Sequence, residues 1–186
     1  MSQTRGGDGR AQEINDCGRT NIPYNGIGDR TKMKEGDKLT VEIGVATEVE
    51  IDEIFEMAGA NREEATGVPY ERHKEEMQKA YRHSIEHGAY FLVVREEDQL
   101  AGWVQVDKSI DWITTKEIGW INDVYVKKSF RGRGHATKLL KQALLELKDR
   151  DYDEVRLNVY VFNEHAIKLY EKLGFTDVCK FMKVNL

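Results

Sequence analysis

The sequence predicts a mixed α/β (α+β) domain in which one sheet is flanked by helices, and three observations indicate it. Residues 39–45 alternate apolar and polar side chains, as a half-buried strand does. Residues 51–58 and 136–147 place apolar side chains at helical spacing. The remaining strand-like runs are 90–95, 100–107, 118–126, 155–161, 175–178 and 181–184. A chain of 186 residues is long enough to bury a core between such layers.

Residues 1–38 are expected to lie outside this domain. They hold seven of the 16 glycines, many charges and almost no apolar periodicity. Such a segment buries too little apolar surface to offset the entropy lost on ordering, so we expect it to be mostly disordered or loosely docked. Met33 lies just before the first predicted strand, so a start codon assigned too far upstream is one alternative, and a partner-binding arm is a less favoured one. The folded domain is therefore predicted to span residues 39–186.

Two helices are expected after the first strand. Thr47 followed by Glu50 is a capping-box pattern and predicts a helix start. The apolar face of this first helix is Ile51, Ile54, Phe55 and Ala58. A polar stretch at 59–69 follows, and a second helix is predicted over 71–87, ended by Gly88. Its inward side chains are expected to be Met77, Ala80, Tyr81, Ser84 and Ile85.

The second half reads as a three-stranded meander, a helix, a strand, a further helix and closing strands. Trp112 and residues 114–116 are assigned to the loop before the third strand of the meander. The helix after the meander is predicted to begin near His135. Asn163 is a good N-cap for the last helix of the chain, which Gly174 is expected to close.

The stretch 123–136 joins a strand to a helix through a short basic turn that contains two glycines. A helix start leaves several backbone N–H groups without partners, and with the positive end of the helix dipole they favour an anion, usually a phosphate. Gly132 and Gly134 permit positive φ and close approach of a ligand to the main chain. Arg131 and Arg133 add positive charge. We interpret this turn as a pyrophosphate cradle.

Two common phosphate loops do not match. A Walker A loop requires Gly-Lys-Ser/Thr, which His135 and Ala136 do not supply. A dinucleotide fingerprint requires Gly or Ala where Thr137 stands, and it belongs to a repeated parallel βαβ pattern that the upstream meander contradicts.

The pattern that does match combines two motifs. Arg131-x-x-Gly134-x-Ala136 after a strand is followed by Asn163-x-x-Ala166, Tyr170-Glu171 and Gly174-Phe175, with about one strand and one helix between. In this order they resemble the GNAT superfamily of N-acetyltransferases, over residues 39–186 and most sharply over 118–175. The resemblance implies a GNAT-like fold with a mixed sheet of six to seven strands flanked by about four helices.

The resemblance also implies roles for individual residues, with acetyl-CoA as co-substrate. In the family the pantetheine arm runs beside the strand before the cradle, in a gap where it splays from the next strand. Carried over, the cofactor-binding residues are Val124, Tyr125, Val126, Arg131, Gly132, Arg133, Gly134, His135, Ala136, Thr137 and Asn163. Tyr170 stands where the family keeps its general acid, and a phenol is a sensible proton donor to a thiolate. A core aromatic is the alternative reading of Tyr170.

The general base is less defined. Some small-amine acetyltransferases of the superfamily carry Glu-Asp before the pairing strand residues, and here the pair is Asn122-Asp123. An amide cannot accept the proton, so Asp123 is the candidate base and Glu117, through a water, is a second. A structural Asp123, with deprotonation through a chain of waters, is the other possibility.

The acceptor is expected to be a primary amine on a small molecule, a protein N-terminus or a lysine. Seven carboxylates near the first helix would attract a cationic amine, although a solvated helix face is the preferred interpretation: Glu48, Glu50, Asp52, Glu53, Glu56, Glu63 and Glu64.

The net charge of −5 argues against a nucleic-acid partner, and no run is long enough to span a membrane. Cys17 and Cys179 fit no metal spacing and suit a reducing, cytoplasmic compartment. Sheet-edge homodimers occur in the superfamily, but no pattern here specifies one.

Two other functions compete. His83, Glu86 and His87 match a zinc-peptidase pattern, with Glu86 as base, although chance matches to so short a pattern are common. A non-catalytic acyl-CoA-binding module of the same fold would keep the cradle and turn over nothing.

Overall fold

The computed structural model describes residues 39–67, 69 and 74–186. The expectation of disorder in residues 1–38 and the predicted start of the second helix at residue 71 lie outside the described residues. The elements, in chain order, are β1 (Val41–Val45), α1 (Glu48–Thr66), α2 (Lys74–Glu86), β2 (Tyr90–Glu96), β3 (Gln99–Ile110), β4 (Glu117–Val126), α3 (His135–Asp149), β5 (Val155–Leu157) and α4 (Glu164–Lys172). A short 3-10 turn, Lys128–Phe130, precedes α3.

The strands form one mixed sheet in the order β1-β2-β3-β4-β5. Neighbours from β1 to β4 pair antiparallel, and β5 pairs with β4 in parallel. The mixed α/β fold and the meander are therefore confirmed. The described sheet has five strands, fewer than the six to seven expected.

The predicted strands at the C-terminal end account for the difference. β5 stops at Leu157 instead of residue 161, and residues 175–178 and 181–184 form no strand. Phe181, Met182 and Val184 keep 79–86% of their surface exposed, so their alternation does not correspond to a buried face. Strand propensity expresses fit to a partly buried, paired surface and does not produce a strand where pairing is absent.

The capping box of α1 is confirmed, but the helix is longer than expected. Thr47 N donates to Glu50 Oε2 (2.8 Å), and Glu50 N donates to Thr47 Oγ1 (3.4 Å). The segment 59–66, predicted as a polar loop, continues the helix until Gly67, which has φ 68°. Its polar side chains obscured the fact that Gly59 and Asn61 extend the buried face.

The helix faces largely follow the predicted periodicity. In α2, Met77 and Tyr81 are buried and Ala80, expected to face inward, is exposed. Gly88 has φ 101° just after the helix, as a terminating glycine does. In α3 the buried apolar side chains are Leu139, Leu140, Ala143 and Leu147. None of the described helices combines the length and apolarity needed to cross a bilayer.

The sheet is covered on both faces. On one face, side chains of α1 and α2 pack with Phe91, Trp103 and Tyr125. On the other face, α3 packs with Leu92, Val104 and their neighbours, and Tyr170 and Phe175 lie at the margin of this cluster. Four consecutive β2 residues, 91–94, are buried, as expected of a strand with layers on both sides. Each such side chain contributes about 1.5–3 kcal/mol through burial.

β4 changes its surroundings halfway along. Only Gly119, Trp120 and Ile121 pair with β5. Asn122 is then an extra residue, because Ile121 pairs with Val106 and Asp123 already pairs with Gln105. Such a bulge bends a strand and increases its twist. The described part of the sheet therefore leaves residues 122–126 without a strand on the β5 side.

The approach of β3 to this half of β4 predicts a sensitive position at Gly102. A Cβ there would lie 2.5 Å from the backbone oxygen of Tyr125 and 3.0 Å from Val126 Cα. Gly102→Ala should lower the free energy of unfolding by about 1–3 kcal/mol through overpacking, as measured by urea denaturation. The control is Gly44→Ala, whose Cβ would meet only the flexible end of Arg95 at 3.3 Å. Equal stability of the two variants would contradict the prediction.

Candidate active site

The free half of β4 presents main-chain groups at an open edge. Lys127 N donates to Ala101 O (2.9 Å), so this N–H faces β3. Because successive residues of a strand alternate in direction, the N–H groups of Val126 and Val124 face the opposite, unpaired edge. Tyr125 is buried against Trp103, with ring centroids 4.7 Å apart. The unpaired edge lies beside Val124 and Val126, where the sequence resemblance implied a gap, and the binding of a cofactor by these residues stays a prediction.

The loop that follows has the backbone of an anion site. Gly132 and Gly134 both have φ 79°, a conformation that L side chains rarely adopt. Gly134 is the N-cap of α3, so the predicted helix start at His135 is confirmed. Within the described residues, no protein acceptor takes the N–H groups of residues 132–137. These donors and the helix dipole fit a pyrophosphate.

The basic side chains of the loop are engaged with carboxylates. Both terminal nitrogens of Arg131 donate to Glu64 (2.6 and 3.0 Å), and its Nε donates to Val126 O (2.8 Å). Arg133 pairs with Glu96, and Lys127 pairs with Glu53. These contacts hold the loop against its surroundings. The hydrogen-bond donors that stay available for an anion are therefore the main-chain N–H groups of the loop.

His135 is turned into the protein. Its Nε2 lies 2.8 Å from Glu96 Oε2, and the two side chains are 1% and 4% exposed. Its Nδ1 is buried with no partner in the described structure. Glu96 therefore bridges His135 at the helix start and Arg133 in the loop. Of the predicted cradle residues, His135 contributes its backbone, and Ala136 and Thr137 are half-buried beside it.

Asp123 lies in a polar cluster on the α1/α2 face. Its Oδ1 accepts from Asn61 Nδ2, and its Oδ2 accepts from the Tyr81 hydroxyl and from Trp103 Nε1 (3.4 Å). Burial raises the pKa of the Asp123 carboxyl, and the hydrogen bonds from Tyr81, Trp103, Asn61 and the backbone N–H of Val124 oppose that rise. A carboxylate with a raised pKa is a better proton acceptor than an exposed one.

Tyr170 lies on α4. Asn163 begins this helix and accepts a hydrogen bond from Ala166 N (3.3 Å), which confirms its capping role. The Tyr170 ring packs edge-on against Phe175, with centroids 5.9 Å apart. Burial, followed by the negative charge of Asp123, raises the pKa of Tyr170 to about 12. The predicted acid and the predicted base therefore interact electrostatically, although they belong to opposite faces of the sheet.

Glu117, the second candidate base, lies at the other end of β4. Its carboxylate accepts from the Tyr152 hydroxyl (2.8 Å) and pairs with Lys108 (3.1 Å). The hydrogen bonds from Tyr152 and Lys108 lower the pKa of Glu117. A carboxylate stabilised in its charged form is a weak base at neutral pH.

The proposed acidic attraction for a cationic acceptor is weakened by pairing. Glu50 pairs with Arg95 (2.7 Å), and Glu53 and Glu64 pair with Lys127 and Arg131. The charges of these three carboxylates are compensated locally, which favours the interpretation of the acidic residues as a solvated helix face.

The candidate metal ligands form a surface cluster. The ligand atoms of His83, Glu86 and His87 lie within 4.8 Å of one another, and all three residues are exposed, the first two on α2 and His87 directly after it. The Nδ1 of His87 lies 2.7 Å from the backbone oxygen of His83. The geometry could hold a cation but lacks the buried surroundings of the Asp123 cluster.

A family model described as the acetyltransferase (GNAT) family matches residues 52–175. The chain belongs to the GNAT family. The chain is therefore an acyltransferase by family, and this assignment disfavours the zinc-hydrolase alternative. The match includes the free half of β4, the glycine loop and α4.

Several curated relatives of this GNAT chain are named N-alpha-acetyltransferases. The Sulfolobus acidocaldarius protein is 31% identical over 148 residues, which cover 76% of this chain and 83% of the relative. N-alpha-acetyltransferase 30 of Schizosaccharomyces pombe is 32% identical over 105 residues, covering 56% and 67% respectively. Other relatives are matched over a smaller part of their length, down to 16% of N-alpha-acetyltransferase 30 of Homo sapiens, which is 40% identical over 57 residues.

The fold of the GNAT chain is also similar to solved structures. A candidate acetyl transferase from Pyrococcus furiosus superposes with a TM-score of 0.68 at 26% identity, covering 79% of this chain and all of that one. The superposition supports the GNAT fold despite the shorter described sheet.

Sequence reasoning missed the side chains that surround Asp123 and the loop. Asn61 falls in the segment predicted as a loop, and Tyr81 and Trp103 have the spacing of ordinary core residues. Glu96 is the residue whose role the sequence could have indicated, since a carboxylate at the end of an apolar strand is expected to have a charged partner. Each of these residues meets its partner across a long sequence separation.

The electrostatic contact between Asp123 and Tyr170 is directly testable. In Asp123→Asn the pKa of Tyr170 should fall below about 12 while staying above its usual 10, because the negative charge is removed and burial remains. Carbon-13 NMR titration of labelled tyrosine measures it, and Tyr170→Phe identifies the signal. That assignment is needed because burial and the hydrogen bond to Glu117 also raise the pKa of Tyr152 to about 12. An unchanged Tyr170 titration would contradict the coupling.

Proposed function

We propose that this GNAT chain transfers the acetyl group of acetyl-CoA to the α-amine of a peptide chain. The observation that carries the proposal is the electrostatic interaction between Asp123, in the unpaired half of β4, and Tyr170 on α4, with the pKa of each raised by burial. The relatives named N-alpha-acetyltransferases support an α-amine acceptor.

The residues present fit acetyl-CoA as the co-substrate. The free N–H groups of residues 132–137 would take the pyrophosphate, and the open edge at Val124 and Val126 would pair with the pantetheine arm. Asn163, at the start of α4, lies on the element that carries Tyr170. Acetyl-CoA supplies an acetyl thioester, and the protein supplies orientation and proton transfer.

Asp123 is assigned as the general base. An amine attacks only in its neutral form, so the acceptor must lose a proton, and Asp123 is the half-buried carboxylate nearest the open edge in sequence and in register. Its raised pKa favours proton uptake, and the donors from Asn61 and Tyr81 fix its orientation.

Tyr170 is assigned as the general acid. The Asp123 charge is one of the two causes of its raised pKa. When Asp123 takes up the acceptor's proton, that charge disappears and the Tyr170 hydroxyl becomes more acidic. The base step therefore prepares Tyr170 to protonate the leaving thiolate.

Binding of acetyl-CoA tests the cradle. Titration calorimetry should give a micromolar Kd for the full chain. Gly134→Ala should weaken binding about tenfold or more, because alanine disfavours φ 79° by about 1–2 kcal/mol and the loop would relax and turn its N–H groups away. The control is Gly88→Ala, which places the same strain at φ 101° after α2 and should leave affinity unchanged. A full chain that fails to bind acetyl-CoA would refute the cradle.

Turnover tests the chemistry. Tyr170→Phe should lower kcat by about 10²–10⁴ without changing the Kd for acetyl-CoA, since only a proton donor is removed. Thiol release should be followed with three acceptors. The first is a lysine-free peptide with a free N-terminus, the second is an N-formylated peptide that contains one lysine, and the third is spermidine. Only the first is expected to react. Reaction with the lysine peptide or spermidine alone would refute the α-amine assignment, and binding without turnover would indicate an acyl-CoA-binding module.

A further inference from the structure

Three separate elements contribute hydrogen-bond donors to the Asp123 carboxylate. Asn61 comes from the last third of α1, Tyr81 from the middle of α2 and Trp103 from β3. Their sequence separations from Asp123 are 62, 42 and 20 residues. A cluster assembled from such distant parts forms only when both helices are seated on the sheet.

The donors are held rigidly. The Tyr81 ring lies between Phe55 and Phe91, each with a centroid 5.5 Å away. Trp103 is fully buried and Asn61 is 5% exposed. The hydroxyl, amide and indole groups therefore point at Asp123 with little freedom to turn elsewhere.

These donors oppose the effect of burial on Asp123. A buried carboxyl without partners would remain protonated and could not act as a base, because removing a charge from water is costly. Each hydrogen bond to the ionised form favours that form. The number of donors therefore determines the pH at which the carboxylate becomes available.

We propose that Tyr81 and Asn61, assisted by Trp103, are positioning residues that keep Asp123 ionised and oriented toward the acceptor amine. The proposal rests on the assignment of Asp123 as base in the proposed function. Tyr81 and Asn61 act through Asp123 and need not touch the acceptor themselves.

The titratable groups facing Asp123 are few. Tyr81 faces it from α2, and Tyr170 on α4 senses its charge. The described contacts from α1 and β3 come from the uncharged side chains of Asn61 and Trp103. Gln105, which pairs with Asp123 across the strands, is also uncharged, and its Nε2 has no acceptor among the described residues. The pH response of Asp123 thus depends mainly on hydrogen bonds and burial, with Tyr170 as the ionisable neighbour on the opposite face.

The test is the pH dependence of kcat/KM for the peptide acceptor at saturating acetyl-CoA. Tyr81→Phe removes one donor and leaves the ring in place. The acid limb of the profile should move to higher pH by roughly one to two units, with the rate recovering toward that of the parent protein at high pH. Asn61→Ala should move the limb in the same direction and serves as the decisive variant if Tyr81→Phe does not fold.

A second readout does not depend on activity. Carbon-13 NMR of labelled aspartate carboxyl groups, with Asp123 identified through Asp123→Asn, should show the same upward movement of its titration in Tyr81→Phe. An acid limb and an Asp123 titration that both stay in place would overturn the proposal. Movement of the titration without movement of the limb would support the donors' effect on Asp123 and overturn its assignment as base.

Tyr152→Phe is the matched control. It removes the same hydroxyl from a tyrosine–carboxylate pair, Tyr152 with Glu117, at the other end of β4. The acid limb should stay in place in this variant. A shift in Tyr152→Phe and none in Tyr81→Phe would identify Glu117 as the base and overturn the proposal.

Discussion

The parallel pairing between β4 and β5 lasts for three residues, and the candidate site depends on where it ends. Up to Ile121, β4 is an interior strand. After the extra residue Asn122, it keeps β3 on one side and presents main-chain groups on the other. A fully paired β4 would have no free N–H groups to offer, whereas a β4 without β3 would have no fixed position. The bulge supplies both conditions in one strand.

The free half of β4 also determines which groups meet there. Asp123 lies on the face covered by α1 and α2, and Val124 lies on the face covered by α3 and α4. Tyr170 approaches from the second layer. Although the two groups belong to different layers, the charge of Asp123 contributes to the raised pKa of Tyr170.

The local features of this fold were predictable from the sequence, and the long-range features were not. The capping box at Thr47, the start of α3 and the cap at Asn163 depend on residues within one turn of each other. The polar cluster around Asp123 joins residues dozens of positions apart, and no local pattern distinguishes Tyr81 from an ordinary core tyrosine. The prediction of a polar loop over residues 59–66 was wrong for a related reason. Asn61 is buried because it contacts Asp123 on β4, a partner that is distant in the sequence.

The fork between Arg131 and Glu64 ties the phosphate loop to the end of α1, which leads toward the second helix. A phosphate that drew Arg131 away would free Glu64 and loosen the attachment of α1, the helix that carries Asn61. Thermodynamic linkage requires the reverse effect to be equal in size. One ion pair thus connects the affinity of the loop for a phosphate with the stability of the helix that supplies a donor to Asp123.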